Sequence, residues 1–354
     1  MIIKSLELSN FRNYGFLNLE FDKGTNILYG DNAQGKTNIL EAIYLCATTK
    51  SHRGTKDRDI VNFCQEEAHI RAYLEKKEEE IRIDMHLRKN KSKGIAIDGT
   101  RIKKAAELLG IMNAVFFSPE DLAIIKNGPA ERRRFMDMEL CQLDASYLYN
   151  LNQYNRIVNQ RNKLLKDFGE KIVERRVLFA QQLNGIIAGI HQKLSGGREH
   201  LSIVYEPDAA PGELAEKLAR CQERDIRLKM TSAGPHRDDF SFVADGIDIR
   251  KFGSQGQQRT AALSLKLSEI ELVKRVTNDT PVLLLDDVLS ELDSNRQNYL
   301  LNSIGDIQTI ITCTGLDDFV NNRFEINRVF KVSNGTVETG SRREVCSSEN
   351  KEEL

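Results

Sequence analysis

The sequence predicts an α/β protein with an inserted, mostly helical lobe. Apolar residues alternate as they do in strands over residues 1–29 and 68–102. Within the second segment, Asp98-Gly99 predicts a hairpin turn. Residues 131–194 contain no proline and are rich in helix formers. The apolar runs at 282–285 and 309–313 are short and continuous, as in strands that are buried on both faces.

The order of these segments predicts a discontinuous α/β domain. The α/β pattern stops before the helical stretch and resumes after Gly234, and the polar C-terminal residues show no apolar period. The predicted parts are an α/β head at 1–110 and 228–340, a helical insertion lobe at 111–227 and a disordered tail at 341–354.

Apolar residues of the lobe follow a heptad-like 4-3 spacing. They are Tyr147, Leu151, Tyr154, Val158, Leu165, Phe168 and Ile172, then Phe179, Leu183, Ile186, Ile190 and Leu194. A turn is predicted at 167–169, between two antiparallel helices of roughly 35 Å each. The seam fits either a helical packing domain or a projecting coiled-coil arm.

Composition excludes several classes of protein. The 51 basic and 52 acidic side chains nearly cancel, so any polyanion must be bound by a local patch. No apolar run is long enough for a membrane span, and the N-terminal residues alternate like a strand rather than forming a signal peptide. The six cysteines are scattered, which favours a reducing cytoplasm over a zinc or disulfide framework. We expect a cytoplasmic protein with no membrane partner.

Residues 30–37 match the phosphate-loop pattern G-x-x-x-x-G-K-[ST] between a predicted strand and a predicted helix. They are Gly30, Asp31, Asn32, Ala33, Gln34, Gly35, Lys36 and Thr37. The loop can cradle phosphates with its backbone N–H groups, and the following helix directs its N-terminus at the same anion. Lys36 is expected to reach the β- and γ-phosphates of ATP, and Thr37 to bind Mg²⁺.

Two further segments complete a candidate nucleotide site. Asp286 and Asp287 follow the buried strand 282–285. Asp286 can hold Mg²⁺, and Asp287 can orient the attacking water; alternatively, both cap a turn. Ser254, Gly256 and Gln257 open a long predicted helix, where a hydroxyl and a glycine N–H can bind an anion.

The order of these motifs resembles the ABC-type ATPase heads. In that family a Ser-Gly-Gln signature completes the nucleotide site of the other subunit, and this role would fall on Ser254, Gly256 and Gln257. The Ser-x-Leu-Asp loop at 290–293, which lies across the dimer interface in that family, matches as well. Gln255 replaces a glycine, Asp287 replaces the usual catalytic Glu, and Thr312 or Thr314 replaces a switch His. All three departures suggest slow hydrolysis.

Within that class the chain resembles the RecF family of bacterial recombination mediators. The matching segments are 10–14 (NFRNY), 30–38 (GDNAQGKTN), 117–122 (FSPEDL), 234–239 (GPHRDD) and 254–257 (SQGQ). The Asp at position 287 also fits the pattern of that family. The resemblance also places Arg12 near the nucleotide; a surface arginine is the alternative.

The family resemblance implies a weak, DNA-stimulated ATPase that acts as a switch in gap repair, replication maintenance and SOS induction. Its cofactors are ATP and Mg²⁺. Its partners are duplex or gapped-junction DNA bound through phosphates, a second copy of the chain in an ATP-dependent homodimer, and a mediator of the RecR type. The alternative is the ATPase subunit of a transport or nuclease-linked complex.

Local basic patches are the candidates for DNA contact. They lie between Arg88 and Lys104, around Lys50, and at residues 132–134, although a charged segment is more often only solvated. His236, in the segment 234–239, is either a structural turn residue or a contact to the nucleotide.

Overall fold

The chain forms two compact units in a computed structural model. The structure describes residues 1–158, 165–228, 230–315 and 326–340. Unit 1 is Met1–Pro119 together with the chain from Asn278 onward, and unit 2 is Glu120–Thr277. The predicted tail, 341–354, lies outside the described residues.

Fifteen strands and ten helices are assigned within the described residues. The strands are β1 Ile2–Phe11, β2 Tyr14–Glu20, β3 Thr25–Tyr29, β4 Glu67–Lys76, β5 Glu79–Arg88, β6 Gly94–Ile97, β7 Thr100–Arg101, β8 Ala114–Phe117, β9 Leu201–Glu206, β10 Asp239–Ala244, β11 Ile247–Asp248, β12 Val282–Asp286, β13 Thr309–Cys313, β14 Arg328–Ser333 and β15 Thr336–Gly340. The helices are α1 Lys36–Thr48, α2 Asp57–Ile60, α3 Leu122–Lys126, α4 Pro129–Leu143, α5 Ala145–Val158, α6 Leu165–Leu194, α7 Leu214–Leu228, α8 Ile249–Phe252, α9 Gln255–Thr277 and α10 Ser294–Ser303.

Unit 1 is built on two six-stranded sheets. One has the order β15-β14-β3-β13-β12-β8 and is parallel except at β15. The other is antiparallel, with the order β2-β1-β4-β5-β6-β7. Helix α1 is buried along its length and shares one apolar core with residues of both sheets. The predicted doubly buried strands are confirmed, because the four apolar residues of β12 are almost wholly inaccessible.

The predicted hairpin at Asp98-Gly99 is confirmed. It joins β6 to β7, which pair in antiparallel fashion. Asp98 has φ 51° and Gly99 has φ 79°. Two consecutive residues with positive φ are what a tight hairpin turn of the favoured twist requires, and Asp-Gly tolerates them best.

Unit 2 surrounds helix α6, which packs against α5, α9 and strand β9. The three-stranded antiparallel sheet β11-β10-β9 completes the unit. Its core includes the adjoining rings of Phe135, Phe179 and Phe240. Seam residues such as Ile172 and Phe179 are buried within this unit, which supports the packing-domain alternative over a projecting arm.

The predicted turn at 167–169 is wrong, because α6 runs through it. A Cβ at Gly169 would lie 2.4 Å from Cδ2 of Leu214. Gly169 therefore permits close packing against α7 rather than a change in chain direction. The two helices are also unequal, with 14 residues in α5 and 30 in α6.

The compact units divide the chain at other points than the predicted domains. Strand β8 lies inside the segment predicted as a helical lobe, but it pairs with β12 and so belongs to unit 1. Residues 228–277, which the sequence placed with the head, fall in unit 2, where α9 packs on α6. Both differences result from contacts between distant segments of the chain: strand pairing of β8 with β12, and helix packing of α9 on α6.

A buried ion network holds unit 2 together around Arg176. Its guanidinium donates to Asp238 Oδ2 at 2.7 Å, to Asp137 Oδ1 at 2.8 Å and to the Pro235 carbonyl at 2.7 Å. Arg176 is 2% exposed and Asp238 is inaccessible. Burial raises the pKa of Asp238 above its ordinary value, against the opposing effect of Arg176. The segment 234–239 therefore contributes to the buried core of unit 2 through Pro235 and Asp238.

We expect Arg176→Met to destabilise the protein by about 3–5 kcal/mol, because Asp238 would remain buried without its cation. Urea denaturation of the full chain measures the change. Arg220→Met is the control, since Arg220 pairs with Glu216 on an exposed face of α7 and should change stability by less than about 0.5 kcal/mol. Equal effects of the two substitutions would contradict the assigned importance of the network.

Among the helices the structure describes, none combines the length and the apolar character needed to cross a membrane.

Candidate nucleotide site

The phosphate loop (residues 30–37) follows β3 and leads into α1, as predicted. Gly30, Ala33 and Gly35 all have positive φ, at 145°, 63° and 113°. A Cβ on Gly30 would lie 2.2 Å from the Val332 carbonyl oxygen, and one on Gly35 would lie 2.5 Å from Nδ2 of Asn13. Both glycines are therefore required by backbone conformation and by close approach.

Two neighbouring turns support the phosphate loop at Gln34. The side chain of Asn13, between β1 and β2, donates to the Gln34 carbonyl at 2.9 Å. From the β14–β15 turn, the Gly335 N–H donates to the same carbonyl at 3.3 Å, and the Asn334 N–H donates to Gln34 Oε1 at 2.5 Å. No sequence pattern indicates these supports, although Asn13 lies in the matching segment 10–14.

Lys36 is folded back onto its own loop. Its ammonium donates to the carbonyls of Gly30 and Asp31, the latter at 2.8 Å. The residue is 7% exposed. Desolvation lowers its pKa, while Asp287 and Asp286 act in the opposite direction. Its charge lies close to both acids, and phosphate oxygens could take the place of the two carbonyls.

Thr37 and Asp286 lie together, as the sequence predicts for a metal pair. Thr37 Oγ1 donates to Asp286 Oδ1 at 2.8 Å. Thr312 on β13 donates to the same oxygen at 2.8 Å. Hydroxyl and carboxylate oxygens are ligands that Mg²⁺ accepts beside phosphates and water. The donor set at the base of the phosphate loop therefore fits Mg²⁺ with ATP.

Asp287 follows β12 in a left-handed conformation, with φ 54°. Its N–H donates to Thr312 Oγ1 at 3.0 Å. Burial raises the pKa of its carboxyl above the ordinary value; Lys36 opposes this shift and Asp286 adds to it. Thr312 thus contacts both acidic residues. It is one of the two threonines that the sequence places where ABC-type heads usually have a switch His.

Arg12 is bound to an acidic residue of α1. Its guanidinium donates to the two carboxylate oxygens of Glu41, at 2.8 and 2.7 Å, and to the Asp59 carbonyl at 2.8 Å. Glu41 is inaccessible. Burial would raise its pKa, but hydrogen bonds from Arg12 and Ser51 outweigh that effect, so the pKa lies below its ordinary value. Nucleotide contact by Arg12 stays a prediction.

The signature segment (residues 254–257) lies in unit 2 and forms a reciprocal cap at the start of α9. The Gln257 N–H donates to Ser254 Oγ at 3.2 Å, and the Ser254 N–H donates to Gln257 Oε1 at 2.8 Å. Ser254 and Gly256 are exposed. This arrangement is a capping box with Gln in the third position.

A second contact fixes the Gln257 side chain. Its amide donates to Glu199 Oε1 at 2.9 Å, and the other carboxylate oxygen of Glu199 lies 3.3 Å from Nε2 of His191. His191 is inaccessible, and its Nδ1 lies 2.9 Å from Ser264 Oγ on α9. The signature segment is therefore connected to the core of unit 2. No sequence pattern indicated Glu199 or His191.

The loop at 290–293 joins the acidic residues to α10. Ser290 Oγ donates to the Asp287 carbonyl at 2.8 Å. Asp293 caps α10, its carboxylate accepting the Arg296 N–H at 3.0 Å. Asp293 and Ser290 are both exposed to solvent, and the Asp293 carboxylate also pairs with the Arg296 guanidinium.

The basic patches differ in how far their cationic side chains are exposed to solvent. Lys91, Arg101, Lys103 and Lys104 are exposed in the patch between Arg88 and Lys104. Around Lys50 the exposed cations are Lys50, Arg53, Lys56 and Arg58. In the third patch, however, Arg132 is 1% exposed and is paired with Asp239, with both nitrogen–oxygen distances under 3 Å. Arg132 is therefore a structural residue.

His236 has a structural environment in unit 2. Its Nε2 lies 3.0 Å from the Thr231 carbonyl, and its Nδ1 lies 2.7 Å from the hydroxyl of Tyr154. Burial lowers its pKa. Both ring nitrogens are used within the unit, which fits the structural alternative.

A phosphate loop on a mostly parallel sheet, with paired acids at the end of another strand of that sheet and a capped signature helix, defines an ABC-type ATPase head. The chain matches the family described as RecF/RecN/SMC N terminal domain over residues 2–338. The chain belongs to the RecF family, as its sequence relatives show.

Two of the relatives named DNA replication and repair protein RecF show how similar the sequences are. The protein of Lachnoclostridium phytofermentans is 61% identical over 360 residues, covering 96% of this chain and 100% of the relative. The protein of Agathobacter rectalis is 60% identical over 358 residues, covering 96% and 99%.

Solved structures agree on the fold. A structure described as the recombination mediator protein RecF-ATP in the RecFOR pathway has a TM-score of 0.89 and 35% identity, covering 96% of this chain and 97% of that one. An Smc head bound to the C-terminal winged-helix domain of ScpA has a TM-score of 0.60 at 19% identity, covering 98% and 100%, and is similar in fold alone.

Proposed function

We propose that the chain is an ATP-dependent DNA-binding protein of recombinational gap repair, replication maintenance and SOS induction. It acts in the cytoplasm as a switch. Two copies associate head to head on DNA when ATP is bound, and slow, DNA-stimulated hydrolysis separates them. A mediator of the RecR type works with the dimer in loading recombinase onto gapped DNA.

One observation carries this proposal: Lys36, Thr37, Asp286 and Asp287 converge within unit 1. The Thr37–Asp286 hydrogen bond of 2.8 Å joins the two predicted metal ligands. The charge of Lys36 acts on both acids. A structural turn after a core strand has no need for two threonines that donate to the same carboxylate oxygen beside a buried lysine.

The residues divide the work at the nucleotide. The backbone N–H groups of the phosphate loop bind the phosphates, and Lys36 exchanges the Gly30 and Asp31 carbonyls for phosphate oxygens. Thr37 and Asp286 hold Mg²⁺, which when bound neutralises phosphate charge. Asp287 orients the attacking water and accepts its proton. The raised pKa of Asp287 favours this acceptance near neutral pH.

The signature segment is proposed to complete the site of the partner subunit. Ser254, Gly256 and Gln257 bring a hydroxyl and a helix N-terminus to the γ-phosphate. Ser254 and Gly256 are exposed in the single chain, which supports this assignment. Gln255, in place of the usual glycine, supports a slow switch rather than rapid turnover.

DNA is proposed to bind through its phosphates. The exposed cations of the basic patches between Arg88 and Lys104 and around Lys50 supply charge without aromatic side chains spaced between them, which favours backbone contact over base stacking. Relatives named for DNA replication and repair support this role. They do not favour the transport or nuclease-linked alternative.

The proposed function is tested by titrating DNA with the chain, with and without ATP and Mg²⁺, and by sedimentation of the same samples. ATP with Mg²⁺ should shift the chain from monomer to dimer and strengthen DNA binding. DNA binding that is indifferent to ATP would contradict the switch.

Ser254→Arg is the sharpest variant for the partner-site assignment. It should leave ATP binding to the single chain nearly intact, while the bulky cation obstructs the closed dimer. ATP-stimulated DNA binding should fall at least tenfold. Sedimentation and nucleotide titration measure the two effects separately.

Two controls separate this result from simple loss of the helix cap. Ser254→Ala removes the capping hydroxyl and should cost only about 1 kcal/mol of stability. Ser303→Arg places the same side chain at an exposed serine of α10 and should dimerise normally. A folded Ser254→Arg protein that binds ATP and still dimerises would refute the partner-site assignment.

A further inference from the structure

Two histidines and a glutamate gather on the outer face of the antiparallel sheet of unit 1. His69 on β4 lies directly opposite His86 on β5. Glu67 precedes His69 by two positions, so both side chains leave the same face of β4. The intervening Ala68 and the following Ile70 are buried on the core side.

The three side chains already lie at metal-binding separations. His86 Nε2 is 2.9 Å from Glu67 Oε2, and His69 Nε2 is 3.9 Å from Glu67 Oε1. The two imidazole rings stack, with centroids 4.1 Å apart and planes 21° from parallel. One ligand atom from each residue lies within 4.8 Å of the other two. Binding one ion at about 2.0–2.2 Å from each atom requires the two stacked imidazole rings to rotate so that their nitrogen lone pairs converge.

The sheet fixes this arrangement. Antiparallel pairing sets the His69–His86 register over the whole length of β4 and β5. Directly opposite side chains have Cβ atoms roughly 4.5–5.5 Å apart, a separation that two imidazoles can bridge through one ion. Buried Ile70 and Met85 hold the two strands beneath the histidines.

Three arginines line the same depression as the histidines: Arg71 and Arg88 have acceptors of their own, and Arg101 is exposed. Arg71, on the same face, pairs with Asp84 at 2.6 Å and with Glu7 at 3.2 Å. Arg88 donates to the Ser92 carbonyl at 3.1 Å. Because Arg71 and Arg88 contact these other acceptors, the Glu67 carboxylate pairs with the histidines instead.

We propose that Glu67, His69 and His86 bind a divalent transition metal of the Zn²⁺ class. Two imidazole nitrogens and one carboxylate oxygen suit Zn²⁺, while Mg²⁺ prefers oxygen ligands. Three protein ligands leave a fourth position for water. The two histidines line a depression of about 490 Å³ on this face, so solvent reaches the ion. The site is independent of the nucleotide site.

Zn²⁺ titration of the full chain by calorimetry tests the proposal. The wild-type chain should bind one Zn²⁺ at this site, and excess Mg²⁺ should not compete. His86→Ala and His69→Ala should each weaken binding at least tenfold. His200→Ala is the matched control, because His200 is an exposed histidine of unit 2, and it should bind as the wild type does.

Thiol ligands are distinguished with Co²⁺ in place of Zn²⁺, since Cys64 is exposed. Nitrogen and oxygen ligation gives visible d–d bands without thiolate charge-transfer absorption, and the bands should disappear in His86→Ala. Zn²⁺ should also raise the melting temperature of the wild type but not that of His86→Ala. Unchanged Zn²⁺ affinity in a folded His86→Ala protein, or a thiolate spectrum, would overturn the assignment.

Discussion

Lys36→Arg should abolish nucleotide-driven dimerisation while leaving the chain folded. The substitution keeps the charge, but a planar guanidinium cannot replace a compact ammonium inside the loop. Lys36 is almost wholly enclosed and reaches two loop carbonyls from the first turn of α1. Loss of one such phosphate donor costs at least about a hundredfold in turnover.

Fluorescent-nucleotide titration and sedimentation check this expectation. Lys23→Arg is the matched control, because Lys23 is exposed and precedes β3. It should bind ATP and dimerise as the wild type does. Dimerisation of the Lys36→Arg chain at wild-type ATP concentrations would remove the phosphate loop from the mechanism.

Asp287→Asn should stop turnover and accumulate the ATP-bound dimer on DNA. Asparagine tolerates the left-handed backbone that Asp287 adopts, so the loop should keep its shape. The amide cannot accept a proton from water, whereas Thr37 and Asp286 still hold the metal. Loss of a general base lowers the rate by about 10²–10⁴. Single-turnover hydrolysis measures the chemistry, and sedimentation measures the dimer.

The pH profile gives an independent check on Asp287. Because its pKa is raised, the carboxylate is lost by protonation at a higher pH than in an ordinary aspartate. The acidic limb of kcat/KM should therefore lie at a higher pH than for a free Asp, and it should vanish in Asp287→Asn. Asp306→Asn, at an exposed position, should keep both the rate and the limb. An unchanged acidic limb in Asp287→Asn would assign the base to another residue.

Local patterns predicted the structural features that depend on residues contiguous in the chain. The phosphate loop, the doubly buried strand before Asp286 and the Asp98-Gly99 turn each depend on a short run of residues with one dominant physical cause. The same holds for the start of α9, where Ser254 and Gln257 have the spacing of a capping box.

Contacts between distant segments could not be predicted from local sequence patterns. No residue near Arg12 in the chain indicates that its guanidinium pairs with Glu41. Likewise, no residue near Arg132 indicates that its guanidinium pairs with Asp239. The turn predicted at Gly169 failed for the same reason, because the neighbour that requires a glycine there is Leu214. Strand β8 likewise depends on its pairing with β12, far along the chain.

The reciprocal cap at Ser254 and Gln257 bears on how firmly a closed dimer can hold. Both backbone N–H groups are satisfied in the free chain, so an arriving phosphate trades one hydrogen bond for another. The net gain from each trade is small, on the order of 0.5–1.5 kcal/mol. A contact with so small a net gain would break readily once the γ-phosphate is released. In the proposed switch, the dimer would therefore stay on DNA only for as long as its ATP remains unhydrolysed.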